Sequence, residues 1–115
     1  MKRFILAGFL LTSSFASSSL EKTWQLNQTQ NLTFQAGQVS GNAGCNNFSG
    51  GYSTKSSVLT FGALASTRKA CAPAIMEQEN LFLKRLASTK RFLISPDGLR
   101  LTLIGDGVQR LTASR

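Results

Sequence analysis

The sequence predicts a mainly β, α+β domain: an antiparallel meander curled on itself, with one helix packed on it. Three observations carry this. The C-terminal third holds three runs of alternating apolar and polar residues, "RFLIS", "LRLTLIG" and "VQRLTA", joined by the tight-turn sequences Ser95-Pro96-Asp97-Gly98 and Gly105-Asp106-Gly107. Shorter runs of the same period lie upstream. Between the two groups sits a single stretch, Pro73 to Ser88, with helical rather than alternating periodicity.

The first element is not part of the fold. Residues 1–18 have the order of a secretory leader: basic Lys2 and Arg3, an apolar run from Phe4 to Leu11, and the small-x-small site Ser14-Phe15-Ala16. The apolar run is shorter than the ~20 residues a membrane span needs, and no lipid-accepting cysteine follows it. The expectation is therefore a removed segment at 1–18, a domain at 19–115, and a periplasmic or secreted product without a stable membrane anchor. Removal of the leader lowers the formal charge from +8 to about +6. The remaining cations are scattered along the chain without interleaved aromatics, which argues against nucleic acid as a partner.

Within the domain, "TWQL" (Thr23 to Leu26) and "NLTFQ" (Asn31 to Gln35) alternate at period two, and "GQVSG" completes a hairpin with the second. The stretch "AGCNNFSGGY" (Ala43 to Tyr52) is rich in glycine and asparagine. It reads as a sharp corner between strands, in which Gly44, Gly50 and Gly51 can take positive φ. "SVLTF" (Ser57 to Phe61) is a further strand. In the helix, proline stands at the first turn, and Ile75, Met76, Phe82, Leu83, Leu86 and Ala87 share one face. Leu81 falls on the polar side. Glu79 falls near the middle of the apolar arc, where a carboxylate needs hydrogen-bond donors.

Export makes a Cys45–Cys71 disulfide the expectation for two cysteines. Such a bridge closes a loop that the chain-entropy model values at roughly 3.5 kcal/mol. It would also bring the corner beside the helix's first turns. Glu79 is then expected to be a structural clasp, accepting hydrogen bonds from Asn46, Asn47 or Ser49 of the corner, or from Thr67 or Arg68 before Cys71. The alternatives are a solvent-exposed carboxylate and a catalytic acid.

The chain has no histidine, which removes the Ser-His-Asp and Cys-His arrangements and the usual zinc sites. Five acids follow the leader, and only Glu79 stands in an unusual setting, without a carboxylate partner. No catalytic residue, metal ligand or cofactor site is expected, and the protein is expected not to be an enzyme.

The blocks "GQVSGNAGCNNFSGGY" (Gly37 to Tyr52), "LTFGALASTRKAC" (Leu59 to Cys71) and "MEQENLFLKRL" (Met76 to Leu86), with the opening Trp24-x-Leu26 strand, resemble the META domain, also called the HslJ-like domain. The resemblance runs from about Trp24 to the C-terminus. It implies a small calycin-like half-barrel crossed by one helix, an exported bacterial protein, and a role linked to heat shock and antibiotic tolerance without an established catalytic activity. Many members are lipoproteins; this chain lacks their lipid-accepting cysteine.

Three functions follow as expectations. The first is a monomeric interaction module that docks an envelope protein through a sheet edge or loops. The second is a binder of a small anionic or amphipathic ligand in the barrel mouth, with Phe34, Phe48, Tyr52 and Phe92 as contacts. The third is a hydrolase of unrecognised type.

Overall fold

The computed structural model describes residues 20–105 and 110–115. The expected leader at 1–18 and part of the turn around Asp106 lie outside the described residues. Among the described residues nine strands and one multi-turn helix follow in order: β1 (Thr23–Gln25), β2 (Asn31–Gln35), β3 (Gln38–Asn42), β4 (Asn47–Lys55), β5 (Val58–Phe61), β6 (Ala65–Ser66), α1 (Pro73–Ala87), β7 (Arg91–Ile94), β8 (Arg100–Ile104) and β9 (Arg110–Ser114).

All pairings are antiparallel, and they form one sheet that closes on itself. Consecutive hairpins join β1 to β2, β2 to β3 and β3 to β4, while β7, β8 and β9 form the C-terminal meander. β5 and β6 both lie along β4, one after the other, on the side opposite β3. Two thin seams complete the ring. β5 meets β7 at Val58↔Arg91, supported by the Leu59 amide donating to the Lys90 carbonyl and the Phe92 amide to the Ser57 carbonyl. β1 meets β9 at Gln25↔Ser114. Closure leaves few unpaired edges, which is how small antiparallel sheets avoid edge-to-edge association.

The stretch expected as one corner divides in two. Only Ala43 to Asn46 turns; Asn47 onward is the nine-residue strand β4. Of the three glycines expected to take positive φ, Gly44 alone does, at +132°. Gly50 is required for a different reason. A Cβ there would lie 2.7 Å from the Ala63 carbonyl oxygen and 2.8 Å from Leu64 Cδ2, where the chain between β5 and β6 crosses the strand. Gly50→Ala is therefore expected to lower stability by about 1–3 kcal/mol, the usual cost of overpacking. A urea melt against wild type measures it, and an unchanged midpoint would show that the crossing relaxes freely.

Alternation along the strands puts one face of the ring inside. Trp24, Leu32, Phe34, Val39, Phe48, Leu59, Leu101 and Leu103 are buried there, and α1 adds Phe82 and Leu86. Phe48 and Phe82 meet edge to face with centroids 5.7 Å apart, and Phe34 meets Tyr52 in the same manner at 5.0 Å. The Trp24 indole donates to the Leu20 carbonyl at 3.1 Å, so its polar atom is satisfied inside the core. The helix's buried stripe is narrower than its periodicity suggests. Glu79, Phe82 and Leu86 are buried and Leu83 half-buried, but Ile75 and Ala87, expected on the apolar face, are exposed. The contact is confined to positions spaced by three and four residues, from Glu79 to Leu86, so the first turn of α1 lies outside it. Leu81 is exposed, as its place on the polar side predicts.

Candidate functional site

The chemistry-bearing residues converge where the Ala43–Asn46 turn, the linker before Cys71 and the inner face of α1 meet. Cys45 and Cys71 form a disulfide with their Cα atoms 6.1 Å apart, tying the turn to the linker. Asn42 Oδ1 accepts the Gly44 amide at 2.8 Å and shapes the entry to the turn. The turn then presents its next two amides to the helix. Glu79 Oε1 accepts from the Cys45 amide at 2.9 Å and the Asn46 amide at 2.6 Å. Glu79 Oε2 accepts from Asn46 Nδ2 at 2.7 Å.

Asn46 is the hub. Its Oδ1 accepts from the Lys69 amide at 2.7 Å and the Thr67 hydroxyl at 2.9 Å, and its Nδ2 also reaches the Lys69 carbonyl at 3.1 Å. One buried amide thereby joins the turn, the linker and the helix. Gln30 performs a similar task from below, donating to the Ala43 carbonyl at 2.9 Å and the Gln78 carbonyl at 3.4 Å. Nothing in the sequence pattern marked Gln30, which sits one residue ahead of an ordinary alternating strand.

Of the partners expected for Glu79, Asn46 binds it directly and Thr67 acts through Asn46. Asn47 and Ser49 do not face it, because β4 has begun and its odd positions point outward. The Asn47 side chain accepts from Asn42 Nδ2, and Ser49 is exposed. Arg68 is exposed in the linker. Burial pushes the Glu79 carboxyl up, but the bonds from the Asn46 side chain and from the Asn46 and Cys45 amides outweigh it. They hold the group below the ordinary carboxylate range. The raised value that would suit a general acid at neutral pH is not what this environment produces.

A pH dependence follows. Because the folded value is depressed, ionised Glu79 stabilises the fold at every pH above the ordinary carboxylate value of about 4.3. That contribution is lost as pH falls through the lowered folded value. Asp97, held low by the Ser95 hydroxyl and the Leu99 amide, titrates in the same direction. Comparing wild type with Glu79→Gln isolates the Glu79 share. The wild-type melting temperature should fall more steeply below pH 4 than the variant's, and parallel curves would remove Glu79 as the cause.

The four aromatics expected as ligand contacts separate into two pairs. Phe34 and Phe48 are 1% and 3% exposed and belong to the core. Tyr52 and Phe92 are half-buried and line a recess of about 390 Å³ at one end of the ring, with Leu20, Glu21, Gly37, Ser53, Thr54 and Ser56. Burial raises the Tyr52 phenol above its usual value. Among the described residues no group of three or more His, Cys, Asp or Glu side chains is placed to hold a metal ion. Among them too, no helix is long and apolar enough to cross a membrane.

The closed antiparallel sheet, helix α1 and the disulfide-tied turn define a small mainly β domain whose polar cluster is a fastening between elements. The META domain family model matches residues 9–115. The chain belongs to that family. Two solved structures are similar to it. One is the NMR structure of a protein from Burkholderia xenovorans, 26% identical, covering 87% of this chain and 86% of its own, with a TM-score of 0.73. The other is an NMR structure of a protein 25% identical, covering 83% of this chain and 89% of its own, with a TM-score of 0.64. No curated protein gives a significant match.

Proposed function

We propose that this META-domain protein is exported and acts in the envelope or outside the cell as a non-enzymatic, stress-related interaction module. The disulfide supports an oxidising compartment. The observation that carries the reading is the use made of the site. The one acid in an unusual setting is spent on three structural hydrogen bonds, and the ring interior is filled by side chains such as Trp24, Phe34 and Leu59. Surface recognition is what this arrangement leaves available. Affinity capture with the purified protein from an envelope extract, followed by mass spectrometry of bound proteins and small molecules, tests it. Reproducible enrichment of one envelope protein that also loses abundance or function when the gene is deleted is the expected result. Recovery of small molecules alone would overturn it.

A second reading has its own observation: Tyr52 and Phe92 flank the recess at the end of the ring. It suits a small amphipathic ligand, and Glu21 at its rim weighs against an anionic one. Titration with an uncharged detergent at submicellar concentration, followed by amide chemical shifts, should then perturb residues around Tyr52 before any others. Uniform or absent shifts would discard this reading.

A further inference from the structure

The sheet register segregates charge around the ring. Outward-facing positions of β1, β2 and β3 carry only Thr, Ser, Asn and Gln. The opposite half differs. One row across its outer face reads Lys55, Val58, Arg91, Ile104 through the pairings of β4, β5, β7 and β8. The next row on the same face pairs Leu93 of β7 with Thr102 of β8, and Arg100 lies one row beyond, opposite Ser114 of β9. The inward neighbours Phe92, Ile94 and Leu101 pack in the core.

Neighbouring side chains in such a row stand about 4.5–5.5 Å apart, so cations and aliphatics are interleaved at contact distance. The aliphatics are not incidental to the core: Val58 is 47% exposed and Leu93 57% exposed. Lys55, Arg91 and Arg100 are exposed as well. Asp97, in the β7–β8 turn at the rim of the face, accepts from the Ser95 hydroxyl and the Leu99 amide and also lies within the field of Arg100.

We infer that this outer face of β5, β7 and β8 is a peripheral docking surface for an anionic phospholipid bilayer. Clustered cations supply attraction to a negative headgroup layer, and exposed aliphatics among them gain by entering its apolar margin. Charge serving solubility alone has no reason to leave β1 to β3 neutral, nor to alternate with exposed Val58 and Leu93. An acidic protein is the competing occupant, and binding to soluble polyglutamate in place of vesicles is the outcome that identifies it. The contact is reversible and surface-bound, and it is independent of the interaction-module reading.

Co-sedimentation of the purified protein with vesicles decides the matter. Phosphatidylglycerol–phosphatidylcholine vesicles should retain it at low salt, phosphatidylcholine vesicles should not, and raised salt should release it. The double variant Arg91→Ser/Arg100→Ser should bind at least about tenfold more weakly. The charge-matched control Arg68→Ser/Lys84→Ser, altered off the face, should bind as wild type, and Leu93→Ser should weaken binding without changing net charge. All variants keep the same N-terminus, so a difference between them reads the face and not the leader. Melting temperatures confirm that each is folded. Equal losses in both double variants would attribute binding to net charge and overturn the proposal. So would wild type that shows no preference for anionic vesicles, or that binds soluble polyglutamate but not the vesicles.

Discussion

Glu79→Ala is expected to lower the unfolding free energy by about 3 kcal/mol or more, because each buried donor left without a partner costs about 1–3 kcal/mol. Three N–H groups lose their acceptor at once: the Cys45 amide, the Asn46 amide and one N–H of Asn46 Nδ2, which keeps its other contact to the Lys69 carbonyl. Glu79 is 3% exposed, so water does not readily replace the carboxylate without opening the helix from the turn. Glu79→Gln keeps the shape and still fails. Its carbonyl oxygen can receive the two backbone amides, but its NH₂ group then faces Asn46 Nδ2, donor against donor. The Asn46 amide cannot turn over to help, since its Oδ1 is held by the Thr67 hydroxyl and the Lys69 amide. The loss of charge-assisted bonds puts this variant about 1.5–3 kcal/mol below wild type. Glu77→Ala, on the exposed side of the same helix, should stay within about 0.5 kcal/mol. Urea melts of the three variants give the ranking directly. Equal midpoints for all three and wild type would mean that the clasp contributes nothing to folding.

How far the sequence could reveal this clasp depends on which rule each residue obeys. Glu79 was conspicuous because a carboxylate on an apolar helical arc must find donors, and the helix's periodicity was unambiguous. Strand β2 and the C-terminal meander were legible for the same kind of reason: strict alternation bounded by turn residues. Strand β4 was not. Its Phe-Ser-Gly-Gly-Tyr sequence has poor strand propensity, and it is held extended by β3 on one side and by β5 and β6 on the other. Those neighbours are distant in sequence, so tertiary pairing overrides the local signal. A corner in place of β4 would misplace two groups of side chains. A corner frees Phe48 for a ligand, whereas strand alternation turns it inward, and it lets Asn47 and Ser49 reach Glu79, whereas alternation turns them outward. Asn46 was legible as a corner residue, but its three-way connection was not. It depends on where the linker passes, and the linker's position depends on the disulfide.

That dependence sets the second large effect. Cys45→Ala/Cys71→Ala, or reduction of the wild type, should lower stability by about 3.5 kcal/mol, the chain-entropy value for a loop of roughly 27 residues. For a small domain with about 5–15 kcal/mol in total, this displaces the melting temperature by many degrees. The bridge also fixes the linker whose Lys69 amide and Thr67 hydroxyl hold Asn46 in the orientation that Glu79 requires. Freed at Cys71, the linker holds Asn46 less firmly, and Glu79 loses part of its gain. The disulfide and Glu79→Gln should therefore be coupled. The triple variant should be less destabilised than the two separate losses added together, by about 0.5–3 kcal/mol, as for residues of one hydrogen-bond network. Hydrogen exchange supplies a local readout. The Cys45, Asn46 and Lys69 amides should lose protection in the double cysteine variant while the β7–β9 ladder keeps it. Strict additivity, with unchanged protection at these three amides, would separate the disulfide from the clasp and leave it as a constraint on the unfolded chain alone.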